Sequence, residues 1–392
     1  MDDLLNSIIL LGAVQGAVLA AALAARRKNR VANRILAALV GALSLMLLFG
    51  LLERRWGFAS HPHLIGLGIP LPFLFGPLVY LYVTALTRPA ARFEARWLVH
   101  GLPFAADLLY LLPVFYLKGG SEKVALAEAS NAGQVPLSLR FFEILLLVQA
   151  MSYLIASWVA LRRYTRRIEG YFSDLARIEL RWLMAMVLAH ATVWSIVIVT
   201  ILLRAAGLAS PLLQGLSQAI QVGSALILFA TGYVSLWQPE LLEKAQAARA
   251  AEPARRPLPK YQRNRLADEE AAALARTLTE RMRDGKLYRN GALTLEVLAD
   301  EVGATPHMLS QVLNLHLRKS FYVFVNSYRA EALMAALADP AQRRRGVLEL
   351  ALDAGFNSKS TLNSFFKRYT GVTPSEFRLL RSRAKTAEIS AG

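Results

Sequence analysis

Seven long apolar runs in the first 237 residues constrain the fold more than any other feature of this sequence. A bilayer core about 30 Å thick needs roughly 20 apolar residues per helix, since lipid offers no partner to exposed backbone groups. The sequence therefore predicts a seven-helix transmembrane bundle. Six spans are the alternative, if the third run, which is interrupted by Pro70, Pro72 and Pro77, is re-entrant. The runs are Leu4–Ala25, Ile35–Leu52, Leu64–Leu86, Trp97–Tyr116, Phe141–Leu161, Trp182–Leu203 and Leu212–Trp237.

The composition separates this chain from ordinary soluble proteins. Of its 392 residues 55% are apolar and only 19% are charged, yet the formal net charge is +17. A soluble chain has about a quarter of its residues charged, so the composition disfavours an ordinary cytosolic enzyme. The chain contains no cysteine, which excludes a disulfide scaffold, a thiolate zinc site and a cysteine nucleophile.

The basic residues predict the orientation of the bundle. Lys and Arg are concentrated in the loops after the first, third and fifth runs, for example at Arg26, Arg88 and Arg163. Because short cytoplasmic loops carry the excess of positive charge, we expect the N-terminus outside and the C-terminal part in the cytoplasm. The acidic start at Asp2 and Asp3 lacks the basic region of a signal peptide, so we expect the first run to remain as an anchor.

Two ionisable residues inside the predicted spans are candidate sensor residues. Asp107 lies near the middle of the fourth run, and His190 lies in the sixth. Ionisable groups at membrane depth are costly and often mark a pathway or a pocket. Hydrogen bonding between helices explains them equally well, so a functional and a structural role both stay open.

The loop 162–181 is too long and too patterned for a simple turn. Apolar residues such as Tyr171, Phe172 and Leu175 alternate with charges roughly at helical spacing. This pattern favours an amphipathic helix at the membrane surface, which would be a candidate coupler to the cytoplasmic part. A solvated basic loop that only sets the topology is the alternative.

The composition changes sharply at Gln238 and Pro239, where the apolar runs end. Residues 244–262 are rich in Ala, Pro and Arg and have no apolar periodicity, which is typical of a tether. From residue 264 onward the helical periodicity returns. We therefore divide the chain into a membrane sensor domain 1–238, a linker 239–263, a soluble helical domain 264–382 and a tail 383–392.

The soluble domain contains two copies of a helix-turn-helix pattern, with Gly303 and Gly355 at equivalent places 52 residues apart. In the first copy Ala299 is the small residue where the two helices approach, and Gly303 falls where the tight turn needs a positive φ. Thr305 and Pro306 then begin the second helix as an N-cap and a first-turn proline. Two copies at one spacing are a much more specific signal than one.

The second copy repeats these features with one extra residue in the turn. Ala351 is its small residue, Gly355 is its turn, and Asn357 or Ser358 begins its second helix as the N-cap. Between the copies, Ser320 caps a long helix whose apolar stripe we expect to form core. The outward residues of both second helices are small and polar, as a major groove accepts.

Three segments of the soluble domain resemble those of a known protein family. They are GATPHMLSQVLN, KSFYVFVNSYRAEALMAAL and LELALDAGFNSKSTLNSFFKRYTGVTPSEFR. Across roughly residues 265–380 the chain resembles the DNA-binding domain of the AraC/XylS regulators. The N-terminal half, including PLPFLFGPLVYLYV, resembles the membrane-embedded branch of that family. The resemblance implies an all-α fold: a seven-helix transmembrane bundle followed by a cytoplasmic, homeodomain-like domain with two helix-turn-helix units.

The resemblance also implies the DNA-contacting residues. Bases would be read by His307, Ser310, Gln311 and Asn314 from the first copy and by Lys359, Thr361, Asn363 and Ser364 from the second. Phosphates would be held by Arg318, Lys319, Arg343, Arg344, Arg345, Lys367 and Arg368. For Lys359, a phosphate contact is as plausible as a base contact, and a solvated loop is the alternative for Arg343–Arg345.

The expected function is that of a one-component transcription regulator in the bacterial inner membrane, which recognises promoter DNA under control of its membrane domain. Its partners would be double-stranded DNA, the bilayer, a second copy on DNA, and a small-molecule, lipid or protein signal, with no cofactor. The alternative is a transporter or receptor with a DNA-binding tail. Catalysis is not expected, because no P-loop, G-x-S-x-G, H-E-x-x-H or G-x-G-x-x-G motif is present.

Overall fold

The protein is described from a computed structural model, which covers residues 2–27, 29–88, 93–131, 136–175, 181–206, 212–213, 215–227, 229–231, 234 and 268–391. This part of the chain is helical and has no strand beyond a single antiparallel bridge between Phe172 and Thr294. It divides into two units. The first comprises Met1–Arg162 and Leu180–Glu240, and the second comprises Arg163–Glu179 and Leu241–Gly392.

The first unit is built from long apolar helices. A further apolar helix, Gly215–Thr231, runs over residues outside the described set. The labelled helices are α1 (Asp2–Ala25), α2 (Arg30–Ser60), α3 (Pro72–Thr87), α4 (Leu102–Leu111), α5 (Gly120–Asn131), α6 (Leu137–Glu169), whose last turns belong to the second unit, and α7 (Arg181–Ala205).

Five helical segments of the described residues are long and apolar enough to cross a membrane. They correspond to the first, second, fourth, fifth and sixth predicted runs, and their large apolar side chains are often exposed, as at Leu4, Val18 and Leu109. Such a surface is compatible with membrane insertion. The segments are Asp3–Ala25, Arg30–Arg55, Ala95–Tyr116, Leu137–Glu169 and Trp182–Arg204.

The predicted count of seven spans is not confirmed. In the third run the α-helix begins only at Pro72 and has 16 residues, or about 24 Å at the rise of an α-helix, which is less than a bilayer core. The residues before it form turns, with Gly66 at φ 75° and prolines at 70 and 72. The seventh run lies partly outside the described residues.

The described part of the loop predicted as an interfacial helix, 162–175, has a different structure, and residues 176–180 lie outside the described set. Helix α6 continues to Glu169, the chain turns at Gly170, and Tyr171–Leu175 is not helical. This segment is neither an amphipathic helix nor a solvated loop, because Ser173 and Leu175 are buried within the second unit. Tyr171, one of the apolar residues that favoured a helix, packs against the core cluster of this unit instead.

The second unit contains both copies of the predicted helix-turn-helix pattern. Its first core cluster includes Leu278, Met282, Leu298, Leu313 and Phe321. Helix α14 runs to Ala391, so it takes in most of the segment predicted as a tail. The helices are α8 (Asp268–Arg283), α9 (Leu295–Glu301), α10 (Pro306–Gln311), α11 (Phe321–Ala338), α12 (Val347–Asp353), α13 (Lys359–Thr370) and α14 (Pro374–Ala391).

The helix boundaries follow the local signals in the sequence. The side chains of Thr305, Ser320 and Ser358 each accept a hydrogen bond from a first-turn backbone N–H, so these predicted caps are confirmed. Thr294, which was not predicted as a cap, accepts in the same way from the Val297 N–H. The predicted linker 239–263 lies outside the described residues.

Candidate nucleic-acid interface

The first helix-turn-helix unit consists of α9 and α10. Its tight turn is closed by a 2.9 Å hydrogen bond from the Ala304 N–H to the Ala299 carbonyl, and Gly303 has φ 66°. Helix α10 continues as a π-helical turn, Val312–His316, and its Leu309 is buried against α9 and α11 in the core cluster. The predicted placement of the small residue, the glycine and the inward leucine is confirmed.

The outward residues of α10 and its extension form a polar face without Lys, Arg, Asp or Glu. His307 and Asn314 are exposed, and Ser310 and Gln311 are half-exposed. The Asn314 amide donates to the Ser310 carbonyl at 2.8 Å and to its hydroxyl at 3.2 Å. All four predicted base-reading residues of this unit are therefore at least partly accessible.

The second helix-turn-helix unit, which consists of α12 and α13, has the same turn. The Phe356 N–H donates to the Ala351 carbonyl at 2.9 Å, and Gly355 has φ 94°. Ser358 then caps α13 by accepting from the Thr361 N–H at 3.1 Å, one residue later than the equivalent cap in the first unit. The extra residue predicted for this turn is confirmed.

Helix α13 presents three of its four predicted base-reading residues. Lys359, Asn363 and Ser364 are exposed on one side of the helix. Thr361 is only 4% exposed, and its hydroxyl donates to the Asp174 carboxylate at 2.7 Å. The structure therefore removes Thr361 from the base-reading face, because its side chain lies on the inward side of α13.

The predicted phosphate-binding residues differ in how free they are. Arg318, Lys319, Arg343, Arg344 and Lys367 are exposed. The Arg345 guanidinium is held by Glu349 at 2.7 Å and by Asp353 at 2.5 Å, and hydrogen bonds to Asp353 and Glu349 raise the pKa of Arg345. Its charge is already paired within the domain, which disfavours the predicted phosphate contact of Arg345.

Arg368 lies against aromatic rings. Its guanidinium carbon is 5.7 Å from the Tyr322 ring centroid and 5.4 Å from that of Phe365. The side chain is exposed, so stacking orients it without burying it. It is compatible with a phosphate contact.

A buried polar network lies within the second unit of the chain, which contains both helix-turn-helix motifs, and the sequence reasoning missed it. Arg329 of α11 is fully buried, and burial lowers its pKa to about 10. It donates to the carbonyls of Tyr288 and Asn290, at 2.8 Å each, and to Ser173 and Asn326. An asparagine and an arginine three residues apart within an apolar helix are the available signal, but nothing nearby in the sequence indicates their partners.

The two candidate sensor residues lie in different helices of the first unit of the chain, the one built from long apolar helices. Asp107 of α4 is 1% exposed, and its Oδ2 has no hydrogen-bond partner among the described residues. His190 of α7 is 5% exposed, and its Nδ1 lies 2.9 Å from the Met186 carbonyl while Nε2 has no described partner. No hydrogen bond among the described residues joins the two side chains.

The first unit of the chain also contains an apolar cavity of about 520 Å³. Its walls include Leu78, Leu81 and Trp97, and its basic lining residues are Arg30, Arg34 and His100. Arg30 and Arg34 are exposed. Neither Asp107 nor His190 lines this cavity, so the sequence reasoning did not point to it.

A protein-family model described as "Helix-turn-helix domain" matches residues 298–379. No curated protein matches the chain significantly, and neither does any solved structure. The matched residues include most of α9 and all of α10–α13, and thus both helix-turn-helix units. Residues 298–379 therefore form a helix-turn-helix domain of the AraC type, which supports a DNA-binding regulator.

Proposed function

We propose that this protein is a membrane-bound, sequence-specific transcription regulator whose membrane unit senses a signal and whose C-terminal domain binds promoter DNA. The observation that carries the proposal is the pair of helix-turn-helix units in a chain whose described residues include five helices long and apolar enough to cross a membrane. The distribution of Lys and Arg supports an N-terminus outside and a DNA-binding domain in the cytoplasm. Seven spans, with a short third one, remain our proposal for the membrane unit.

DNA recognition would use the second helix of each helix-turn-helix unit, α10 and α13, each placed in the major groove. Successive major grooves on one face of DNA are about 34 Å apart. Gln311 and Asn363 carry amides that pair with adenine, and a good bidentate pair discriminates by about 1–3 kcal/mol. The exposed cations Arg343 and Arg344 would hold phosphates without reading sequence.

The sensing step would act through the membrane unit. A signal that binds one arrangement of its helices more tightly shifts the population of that arrangement. Asp107 and His190 support this role, since each is buried with a polar atom that has no described partner. A second copy on DNA would follow from the symmetry of paired half-sites.

The primary experiment is genome-wide capture of DNA by the intact protein in membranes. We expect enrichment of a small set of promoters that share a motif. Lack of enrichment of any promoter would count against a regulatory function.

Two variants then test the interface on a captured promoter. Gln311→Ala should cost about 1–3 kcal/mol and reduce discrimination at one base position. Arg344→Ala should weaken binding to all sequences alike and lower the salt dependence. Arg345→Ala is the matched control, because its guanidinium is already paired with Glu349 and Asp353, and we expect it to leave the salt dependence unchanged. Wild-type binding by both Gln311→Ala and Arg344→Ala would contradict the assignment.

A further inference from the structure

The segment Tyr171–Leu175 joins α6 to α7 in the chain, yet its contacts lie in the helix-turn-helix domain. The Leu295 N–H donates to the Tyr171 carbonyl at 3.0 Å, and Phe172 forms an antiparallel bridge with Thr294. Thr294 is the N-cap of α9. The segment thus pairs with the backbone at the point where the first helix-turn-helix unit begins.

Ser173 completes the buried polar network of the domain. Its hydroxyl donates to the Leu293 carbonyl at 2.7 Å and accepts from Arg329 Nη2 at 3.2 Å, and its carbonyl accepts from the Asn326 amide at 2.8 Å. Ser173 is 1% exposed, and Asn326 and Arg329 are fully buried. Without the segment, three buried polar groups would each lose a partner, which is costly away from water.

Asp174 reaches the second helix-turn-helix unit. Its Oδ1 accepts from the Thr361 hydroxyl at 2.7 Å and from the Ser358 hydroxyl at 3.3 Å. Ser358 is the N-cap of α13. One carboxylate therefore holds the inward side of the first turn of the second recognition helix.

From these contacts we propose that the DNA-binding domain is discontinuous in sequence: Tyr171–Leu175 docks on residues 293–361 and, through Asp174, positions α13 for DNA. The surface that it occupies is formed by the start of α9, the polar side chains of α11 and the N-terminus of α13. The proposal rests on the proposed function for its consequence in DNA binding, whereas the docking itself does not.

The connectivity of the chain gives the docking a regulatory consequence. The segment follows α6 directly and precedes α7 by a few residues, so a signal that moves these helices pulls on it. Displacement leaves Arg329 and Asn326 with fewer acceptors and frees the first turn of α13. The docked state is therefore the DNA-competent state, and displacement weakens DNA binding.

A disulfide tests the docking in the full chain, which has no native cysteine. Phe172 and Thr294 form a bridge flanked by the Leu295 to Tyr171 hydrogen bond. This is the non-hydrogen-bonded type of pair, in which Cα atoms are typically about 4.5 Å apart, a separation that suits a disulfide. Phe172→Cys with Thr294→Cys should crosslink in membrane vesicles under mild oxidation. The matched control is Phe172→Cys with Thr305→Cys, which also replaces a threonine N-cap. Crosslinking of the first pair alone supports the docking, and any other pattern overturns it.

Hydrogen exchange on the full chain in membranes tests the positioning role of Asp174. Asp174→Ala should speed exchange of the first-turn amides of α13 about tenfold, while Asp174→Asn, whose amide oxygen still accepts, should restore much of the protection. Asp353→Ala is the control, because this carboxylate pairs with Arg345 outside the docking surface. Unchanged exchange in Asp174→Ala would overturn the positioning role.

The consequence for DNA is measured with a promoter fragment captured by the wild-type protein. Asp174→Ala should bind it about tenfold more weakly, with Asp174→Asn in between. If the exchange result holds and DNA affinity is unchanged, the link to DNA binding is overturned. If the wild-type protein captures no DNA, the proposed function fails while the crosslink still decides the docking.

Discussion

The two helix-turn-helix units share a turn but differ in what surrounds it. Both close the turn with a 2.9 Å backbone hydrogen bond and a glycine at positive φ. The first turn is open, because a Cβ added at Gly303 would meet no atom within 4 Å. At Gly355 it would lie 2.3 Å from the Tyr288 carbonyl oxygen. The same local motif is thus free in one copy and packed against the domain in the other.

The recognition helices differ in the same sense. Helix α10 has 6 residues and carries no Lys or Arg, whereas α13 has 12 residues and carries Lys359 and Lys367 on its exposed side. Only α13 is held by Asp174. In the proposed interface, the first copy would offer hydrogen-bonding side chains without Lys or Arg, whereas the second would add positive charge on a helix that Asp174 holds in place.

The largest predicted effect is a difference in the stability lost when each of the two turn glycines is replaced by alanine. Gly303→Ala should cost about 1–2 kcal/mol for the left-handed backbone alone. Gly355→Ala should cost about 3 kcal/mol or more, because it adds a clash with the backbone of Tyr288 and Arg289. Hydrogen exchange of the core amides of the C-terminal domain in the full chain measures both. Equal costs would mean that the packing at Gly355 yields without strain.

The salt dependence of DNA binding sharpens the contrast in charge. Lys359→Ala and Lys367→Ala in α13 should each lower the slope of log affinity against log salt by about 0.9 if each contacts a phosphate. Ser310→Ala in the first unit is the control and should leave the slope unchanged, since it removes no charge. Titration of a captured promoter at several salt concentrations gives the slopes. A lysine variant with the wild-type slope would show that its residue holds no phosphate.

The smallest effect concerns pH and belongs to the helix that follows the second unit. The Thr373 N–H and hydroxyl both donate to Glu376, at 2.7 Å and 2.8 Å, and these hydrogen bonds lower the pKa of Glu376 below 4.5. This contribution to stability is present above a pH of about 4.5 and is lost as the pH falls through the lowered pKa.

Glu376→Gln should therefore reduce the loss of thermal stability between about pH 6 and pH 3. Ser375→Ala, an exposed neutral neighbour, should keep the wild-type pH dependence. The helix after the first unit begins with the neutral cap Ser320, so its start should show no such dependence. An identical pH profile for Glu376→Gln and wild type would exclude a contribution from this capping box.

Much of the candidate site could be predicted from local sequence. Gly303, Gly355 and the threonine and serine caps act through their own backbone and the next three residues, so their roles are readable without a fold. The same holds for the outward positions of α10. In contrast, Thr361 is a polar residue beside the exposed Ser360 but points inward, where its hydroxyl meets a carboxylate from a segment 187 residues away.

The third predicted span and Arg345 also show that local sequence does not predict every feature of the structure. Hydropathy counts Leu64–Leu86 as long enough to cross a bilayer, but Pro70 and Pro72 restrict the helix to the 16 residues from Pro72 to Thr87. Arg345 has the appearance of a free cation in a basic triplet, and the geometry of α12 pairs it with two carboxylates instead. Composition and periodicity do not specify which charges meet.

The sequence by itself determined the helical class, the apolar runs, the two turns and the caps, because these depend on side-chain hydrophobicity and on contacts within a few residues. Only the tertiary structure decided that Arg329 and Ser173, 156 residues apart, share one buried network, and that the loop between two apolar helices completes the helix-turn-helix domain. A buried guanidinium must find acceptors wherever the fold supplies them, and the sequence does not mark where they are.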